Sequence, residues 1–493
     1  MNPNVSIRVA PFAQRQIQIF QKHHQSTMFL KPIFGIHNKR AHGELITIYE
    51  FITNDLVKMT EPSKINDKTE KEKEPKKEKD ATDSLLFLRK EREAFAGFHN
   101  LFWSVPMEQG LSASGRFSDN NAVYKAVGKE GVQRLFEGKN SVYIVYGQTG
   151  SMKSTTLIGL KQHENNSSID WECYDQQEGL FGQALDEIFD RIENSKKDSS
   201  SSISYEVELV CFNLHCEQVC DLFVYNDERT TKEKDDDTGV VDNDDSPMSA
   251  DDLKEVTFSP DPEFPEVLNI DQVSRKKVTS LSEAKRLSLI PRRKRLWRAT
   301  TTFHANNKFL YSVNTRSPAI FEIRLIQKSK TLVGDSATAE SKNTLSSIKF
   351  VDLPGSERIR TGWFPGMGED VMRMSVQLGK AMSNFRKCCD HLMEYVQLKK
   401  DKPNAVRLKT MKLASVEESK FTTYIQDMFV YPNYNGNNSD VDENPKTTAE
   451  KNKTFWIGCV KPHEIDMEDS IGTLRWSFRF LCSLRESRRD DLL

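Results

Sequence analysis

The chain has 493 residues, 37% of them hydrophobic and 29% charged, enough for two to four average domains or for one large α/β domain with insertions. Its net charge of -2 excludes a globally basic nucleic-acid binder, so no nucleic-acid partner is expected and any anionic partner must be met by a local patch. No apolar run reaches the roughly 18 residues of a membrane span, Met1-Asn2-Pro3-Asn4 has no signal-peptide pattern, and eight cysteines make no disulfide scaffold at this length. The expectation is a soluble, intracellular protein.

In chain order, a strand is predicted from Val5 to Phe12, with short β-rich pieces from Met28 to Phe34 and Glu44 to Ile52. Lys58 to Asp83 is a Lys/Glu/Asp run almost without apolar residues. It cannot bury enough surface to fold, so 58–83 is expected to be a disordered insertion. Order resumes at Ser84 to Arg89 and Phe95 to Phe102. A helix from about Asn121 to Glu137, with Val123, Val127 and Leu135 on one side, then leads into an apolar strand.

Leu180, Phe181, Leu185, Ile188, Phe189 and Ile192 recur at helical spacing. The strand Tyr205 to Phe212 follows, then a helical or turn segment to Phe223. Cys211, Cys216 and Cys220, with His215 among them, lack the spacing of common zinc modules and read as buried or idle thiols. Asn226 to Glu266 is dense in Asp but lacks the spacing of a calcium loop. It is expected to be a second disordered insertion, 226–266. Val267 to Arg298 is basic and reads as a solvated helix face with acidic partners inside the protein. Strands alternating with helices predict a mostly parallel sheet sandwiched by helices. No heptad repeat persists, so no coiled-coil dimer is expected.

Two stretches carry chemistry. Tyr143 to Tyr146 runs into Gly147-Gln148-Thr149-Gly150-Ser151-Met152-Lys153-Ser154, close to the phosphate-binding loop G-x-x-x-x-G-K-S/T. In such a loop backbone N–H groups cradle phosphates, the Lys reaches the outer phosphates and the hydroxyl binds Mg²⁺. About two hundred residues later, Ile348 to Asp352 is a strand ending in Asp352-Leu353-Pro354-Gly355. Asp-x-x-Gly in nucleotide switches holds the metal shell and meets the γ-phosphate. The pair is far more specific than either motif alone, and it indicates a P-loop NTPase.

These residues resemble a known family, the kinesin motor domains, over nearly the whole chain, read as a single motor domain 1–493. Residues 147–154 resemble G-Q-T-G-S-G-K-S/T, and Asp352 to Arg358 resembles the switch II motif D-L-A-G-S-E-R/K. Tyr311 to Pro318 falls at switch I, N-x-x-S-S-R-S-H. Leu378-Gly379 fits the switch II helix, Glu418 to Thr422 resembles D-S-K-L-T, and Thr473 to Trp476 resembles T-L-R-F.

The resemblance implies ATP and Mg²⁺ as ligands. Gly147, Gln148, Thr149, Gly150, Ser151, Met152 and Lys153 would hold the phosphates. Ser154 would bind Mg²⁺ and Asp352 a metal-bound water. Thr315 would supply a switch I hydroxyl, Gly355 would register the γ-phosphate, and Arg316 would pair with Glu357 to close the site. Arg8 and Pro11 align with the segment that flanks adenine. The implied partner is the microtubule, met by Arg373, Lys399, Lys400, Lys402, Arg407, Lys409, Lys412 and Lys420, and the implied location is the cytoplasm and cytoskeleton. A basic loop suits the acidic tubulin surface.

The sequence departs from the family pattern at defined places. Met152 replaces a glycine where backbone approaches phosphate, Tyr311, Asn314 and Pro318 alter switch I, Met372-Arg373 replaces Asn-Lys, and Ala10 replaces an Arg. Two function classes follow: a microtubule-dependent ATPase and motor, or a catalytically weakened, non-motile microtubule-binding or scaffold protein. A GTPase lacks its Asn-Lys-x-Asp motif; Asn38-Lys39-Arg40-Ala41 has no Asp.

Overall fold

The computed structural model describes residues 4–11, 34–39, 43–51, 89–105, 117–159, 178–197, 203–215, 217–223, 254–265, 267–296, 300–303, 309–312, 317–331, 340–357, 369–402, 416–429, 452–463 and 466–484. The insertion called at 58–83 lies outside them, as does 226–253 of the second. Ten strands form the main sheet. They are β1 (Asn4–Val9), β2 (Asn100–Trp103), β3 (Asn140–Gly147), β4 (Ile203–His215), β5 (Gln218–Asp221), β6 (Lys254–Glu255), β7 (Lys276–Val278), β8 (Ala319–Thr331), β9 (Glu340–Asp352) and β10 (Asn452–Val460). Their order is β2-β1-β10-β3-β9-β8-β4-β5-β6, and β7 also pairs with β4.

Pairing is parallel from β2 through β1, β10 and β3 to β9, and antiparallel from β9 through β8 and β4 outwards. The parallel half carries both motif loops, because parallel strands end together and bring their C-terminal loops to one edge. The helices are α1 (Asn120–Val123), continued by a π-turn at Tyr124–Gly128, α2 (Lys129–Phe136), α3 (Lys153–Ile158), α4 (Leu180–Lys197), α5 (Leu281–Leu296), α6 (Glu369–Asp401), α7 (Lys420–Tyr424) and α8 (Met467–Leu484).

Successive residues of a strand face opposite sides of its sheet. In β3, Tyr143 and Val145 join the cluster built with α2, α3 and α4, whereas Val142, Ile144 and Tyr146 join the one built with α6, α7 and α8. Both faces are covered, so the strand is apolar throughout rather than alternating. Tyr143 stacks on Phe455 of β10 with centroids 4.4 Å apart. On the other face Trp456 stacks on Trp476 of α8 at 4.9 Å. Such pairs add about 0.5–1.5 kcal/mol each beyond burial.

Two expectations are corrected. The segment before Phe223 is a strand, not a helix or simple turn. Glu217, at φ 69°, turns the chain so that β5 pairs back on β4. The second insertion also ends earlier than 266: β6 adds to β5, and Phe258–Pro260 pairs with Leu268–Ile270. The cause is visible at its end, where Val256 and Phe264 are buried. Asp261 accepts hydrogen bonds from Asn269 (3.0 Å) and from the backbone N–H groups of Glu263 and Phe264, and it pairs with Arg275 at 2.7 Å. Acidic composition hid this satisfied carboxylate.

The same hairpin joins a buried polar network that fastens α7 to the sheet. Arg324 donates to Asn269 at 2.6 Å, lies 3.2 Å from Glu322, and meets the Tyr424 hydroxyl, which itself donates to Glu322. Lys349 donates to the Tyr424 carbonyl at 3.1 Å. Burial opposes the Arg324 charge, but Glu322 and Tyr424 outweigh it and hold the guanidinium above its ordinary pKa. The basic stretch after Val267 finds acidic partners inside the protein as expected, with Lys285 2.6 Å from Asp186 and Lys277 3.5 Å from Glu206.

Candidate functional site

The loop between β3 and α3 closes on one carbonyl. Gln148 O accepts from Ser151 Oγ at 2.7 Å, from Lys153 Nζ at 2.8 Å and from the Ser151 N–H at 3.3 Å. Gly147 has φ 149° and lies against the Cys459 carbonyl, where a Cβ would collide. Gly150 (φ 74°) and Met152 (φ 68°) both sit in left-handed backbone. Glycine enters that region freely, but an L-residue with a Cβ does so at a cost of about 1–2 kcal/mol. Met152 therefore holds a conformation that glycine adopts freely, under strain. Its carbonyl accepts from the Thr156 N–H at 2.8 Å and starts α3.

The second motif meets this loop because β3 and β9 are parallel neighbours, with Val145 opposite Asp352. Ser154 Oγ donates to Asp352 Oδ2 at 2.7 Å, and the Ser356 N–H donates to the Gly147 carbonyl at 3.0 Å. Glu357 accepts from the Thr149 N–H at 2.8 Å and also from its hydroxyl. A Cβ on Gly355 would strike the Glu357 carboxylate and the Thr149 hydroxyl, so glycine there lets both side chains sit as they do in this structure. Lys153 is buried; desolvation pulls its pKa below the usual lysine value, opposed by Glu357 and Asp352. The site thus offers a cation whose burial favours an incoming anion, beside a hydroxyl–carboxylate pair.

That pair suits a small hard cation, which takes oxygen donors. Among the described residues no three His, Cys, Asp or Glu side chains converge as a metal cage. Two oxygen donors fit an Mg²⁺ that arrives with, and is completed by, phosphate and water.

Other expected residues fall differently. Arg8 faces inward and is 2% exposed. Its guanidinium donates to Ser104 (2.9 Å), Asn120 (2.7 Å) and Thr156 (2.8 Å), and burial lowers its pKa to about 10. It reaches the site by holding α3 from behind, not by presenting a charge to solvent. Pro11 is half-buried just past β1. Thr315 and Arg316 lie outside the described residues. Ser317 is buried, and Pro318 begins the approach to β8, its carbonyl accepting from the Leu214 N–H at 2.9 Å.

Of the basic residues, Arg407, Lys409 and Lys412 lie outside the described residues. Arg373, Lys399 and Lys400 are on α6, and Lys402 is exposed just beyond its end. Lys420 opens α7, donates its N–H to Glu217 at 2.7 Å and lies over the Phe258 ring at 5.5 Å. The α6 and α7 helices touch through Asn384, which donates to Thr422 at 3.0 Å, and through Phe385 with Phe421.

The motif reading missed the segment after β10. Ser470 Oγ donates to Gln148 Oε1 at 3.1 Å, and the Asp466 carbonyl accepts from Gln148 Nε2 at 3.4 Å. Gln148 is thereby committed to the frame. No motif marks these partners; their only sequence signal is position after a buried strand.

Comparison with known proteins agrees with this geometry. The family model described as the kinesin motor domain matches residues 59–431. Kinesin-like protein KIF1A of Rattus norvegicus is 23% identical over 392 residues, covering 79% of this chain and 18% of that protein. Kinesin-related protein 1 of Dictyostelium discoideum is 22% identical over 478 residues, covering 97% of this chain and 16% of that protein. The chain therefore spans less than a fifth of the length of these two relatives. Among solved structures, a KIF14 dimer with AMP-PNP in complex with a microtubule superposes with a TM-score of 0.60 at 17% identity, covering 97% of this chain and 93% of that one. The motor domain of the Kar3-like kinesin from Ashbya gossypii gives 0.52 at 17% identity, covering 97% and 99%. At such identities the structures speak to the fold alone. With the family model matching well over half of its length, and with its two motif loops meeting at adjacent strand ends, the chain belongs to the kinesin motor-domain family.

Proposed function

We propose that this chain binds Mg-ATP between its phosphate loop and the Asp352–Glu357 segment, and that it binds microtubules in a nucleotide-dependent way at the cytoskeleton. The single observation that carries the nucleotide half is the 2.7 Å contact of Ser154 with Asp352 across parallel strands. Had Lys153 and Asp352 stood on unconnected sheets, the reading would fail. Lys153, freed from the Gln148 carbonyl, neutralises phosphate charge; backbone N–H groups of the loop orient it, Ser154 and Asp352 hold Mg²⁺, and Gly355 lets the two loops approach. When bound, the metal neutralises charge on the phosphate oxygens. Thr315 and Arg316 are assigned the switch I roles.

Glu357 sits on the Thr149 N–H, a donor that a phosphate would use. Nucleotide entry therefore requires Glu357 to leave the loop, which makes this carboxylate the moving part that reports occupancy to the segment leading into α6. On α6, α7 and the loop between them, Arg373, Lys399, Lys400, Lys402, Arg407, Lys409, Lys412 and Lys420 are proposed to meet tubulin. The microtubule complex of the KIF14 relative supports this half.

Met152 in left-handed backbone favours the second reading in one respect: a strained loop with a side chain near phosphate turns over slowly. Hydrolysis well below that of an efficient motor is expected. The test is co-sedimentation with microtubules in ATP, ADP and a non-hydrolysable analogue, with turnover measured in parallel. Affinity that changes with nucleotide supports the proposal; identical pelleting in all three states refutes the coupling, and rapid turnover refutes the weakened site.

A further inference from the structure

The phosphate loop has a second lysine beside it that belongs to no motif. Lys461 follows β10 directly. A Cβ built on Gly150 would lie 3.2 Å from Lys461 Cε and 3.5 Å from its Nζ. Glycine is favoured here by the φ of 74°, and the lysine lies across it at close contact. The side chain is 20% exposed, so its ammonium borders the loop and still reaches solvent. Asp466 holds it at 3.3 Å. The Lys461 backbone is tied to the loop through Ser470, which accepts from the Lys461 N–H at 3.3 Å, lies 3.1 Å from its carbonyl, and donates to Gln148 at 3.1 Å. Lys461 also acts on Lys153 itself: its charge is among the causes that lower the pKa of that buried amine.

We infer that Lys461 is a second phosphate-binding cation of the nucleotide site, gripping the polyphosphate from the Gly150 side of the loop and positioned there by Asp466. This deepens the nucleotide reading above and rests on it. Lys461 is faced by Asp466 and Lys153 by Glu357 and Asp352. Once Glu357 leaves the loop and Asp352 turns to Mg²⁺, the two ammonium groups are left to face the polyphosphate, and Coulomb attraction in a partly desolvated site is several-fold stronger than in bulk water. The arrangement also gives the loop an electrostatic grip where Met152 strains its backbone cradle. A purely structural role does not explain it, because an isolated, partly exposed Lys–Asp pair contributes little to stability.

Lys461→Met keeps the apolar stem and removes only the charge; Lys461→Arg restores it. Binding of fluorescent ATP and ADP to the full chain, with Mg²⁺, is measured at two salt concentrations alongside the melting temperature of each protein without nucleotide. The expected result is a loss of about tenfold in affinity for Lys461→Met, a weaker salt dependence, recovery to within a few-fold in Lys461→Arg, and melting temperatures that do not separate the three. Parent protein that binds ATP while Lys461→Met binds it equally well overturns this inference alone. A parent protein that binds neither nucleotide overturns the underlying reading as well.

Discussion

The replacement Met152→Gly relieves a strain that the structure locates at one backbone angle. An L-residue in left-handed backbone costs about 1–2 kcal/mol, whereas glycine brings extra unfolded-state freedom of about 0.5–1 kcal/mol. The net effect on folding is a gain of roughly 0.5–1 kcal/mol, about 0.5–1 °C in a protein of this size. Met152 is half-buried, so only part of its side chain's packing is lost. The larger effect belongs to the ligand. A loop freed of its Cβ and thioether can close on phosphate, and a collision of about 1 kcal/mol removed from the bound state alone appears as roughly fivefold tighter ATP binding. Calorimetric melting and fluorescent-nucleotide titration of both proteins give the two numbers, and microtubule-stimulated turnover gives a third. A sharp rise in turnover identifies the parent as a weakened enzyme, and no rise above an already fast parent identifies it as a working motor. A glycine variant that melts lower and binds no tighter refutes the strain argument.

Ser154→Ala removes the hydroxyl from the proposed metal pair and should weaken Mg-ATP binding by about tenfold while leaving metal-free nucleotide binding little changed; equal losses with and without Mg²⁺ would count against Ser154 as a metal ligand. Arg8→Met leaves Asn120 and Thr156 without their buried donor and should cost about 1–3 kcal/mol in urea unfolding, whereas no measurable loss would mean that Arg8 is not a structural tie. Asp261→Asn tests the hairpin. Burial opposes the Asp261 charge, but hydrogen bonds from Asn269, Glu263 and Phe264 and the charge of Arg275 prevail and lower its pKa. Its stabilisation is therefore present above pH ~4, the unfolded value, and is lost as pH falls through the lower folded value. Parent and variant should differ by about 1–3 kcal/mol at pH 7 and converge in acid, and a gap that widens in acid would reverse the assigned sign.

The sequence alone was enough to mark the two loops that the fold brings together, because Gly147 to Ser154 and Asp352 to Glu357 are local patterns whose meaning depends on spacing within one turn. It also announced α4, whose apolar residues repeat every three to four positions, and β3, whose unbroken apolar run marks a strand buried on both faces. Arg8 was legible as important but not in its direction, since a guanidinium aimed at nucleotide and one spent on Ser104, Asn120 and Thr156 look alike in one dimension. The ordered end of the acidic insertion was misjudged for a similar reason: Asp261 reads as one more solvated charge until Asn269 and Arg275 are folded against it.

Only the tertiary structure decided that Ser154 touches Asp352, that Met152 sits in left-handed backbone, and that Glu357 rests on Thr149. It alone brought Lys461 to Gly150, across more than three hundred residues of chain, because β10 lies beside β3 in the sheet. Local chemistry is written in neighbouring letters, but the distance between two side chains far apart in sequence is set by the order and direction in which strands pair.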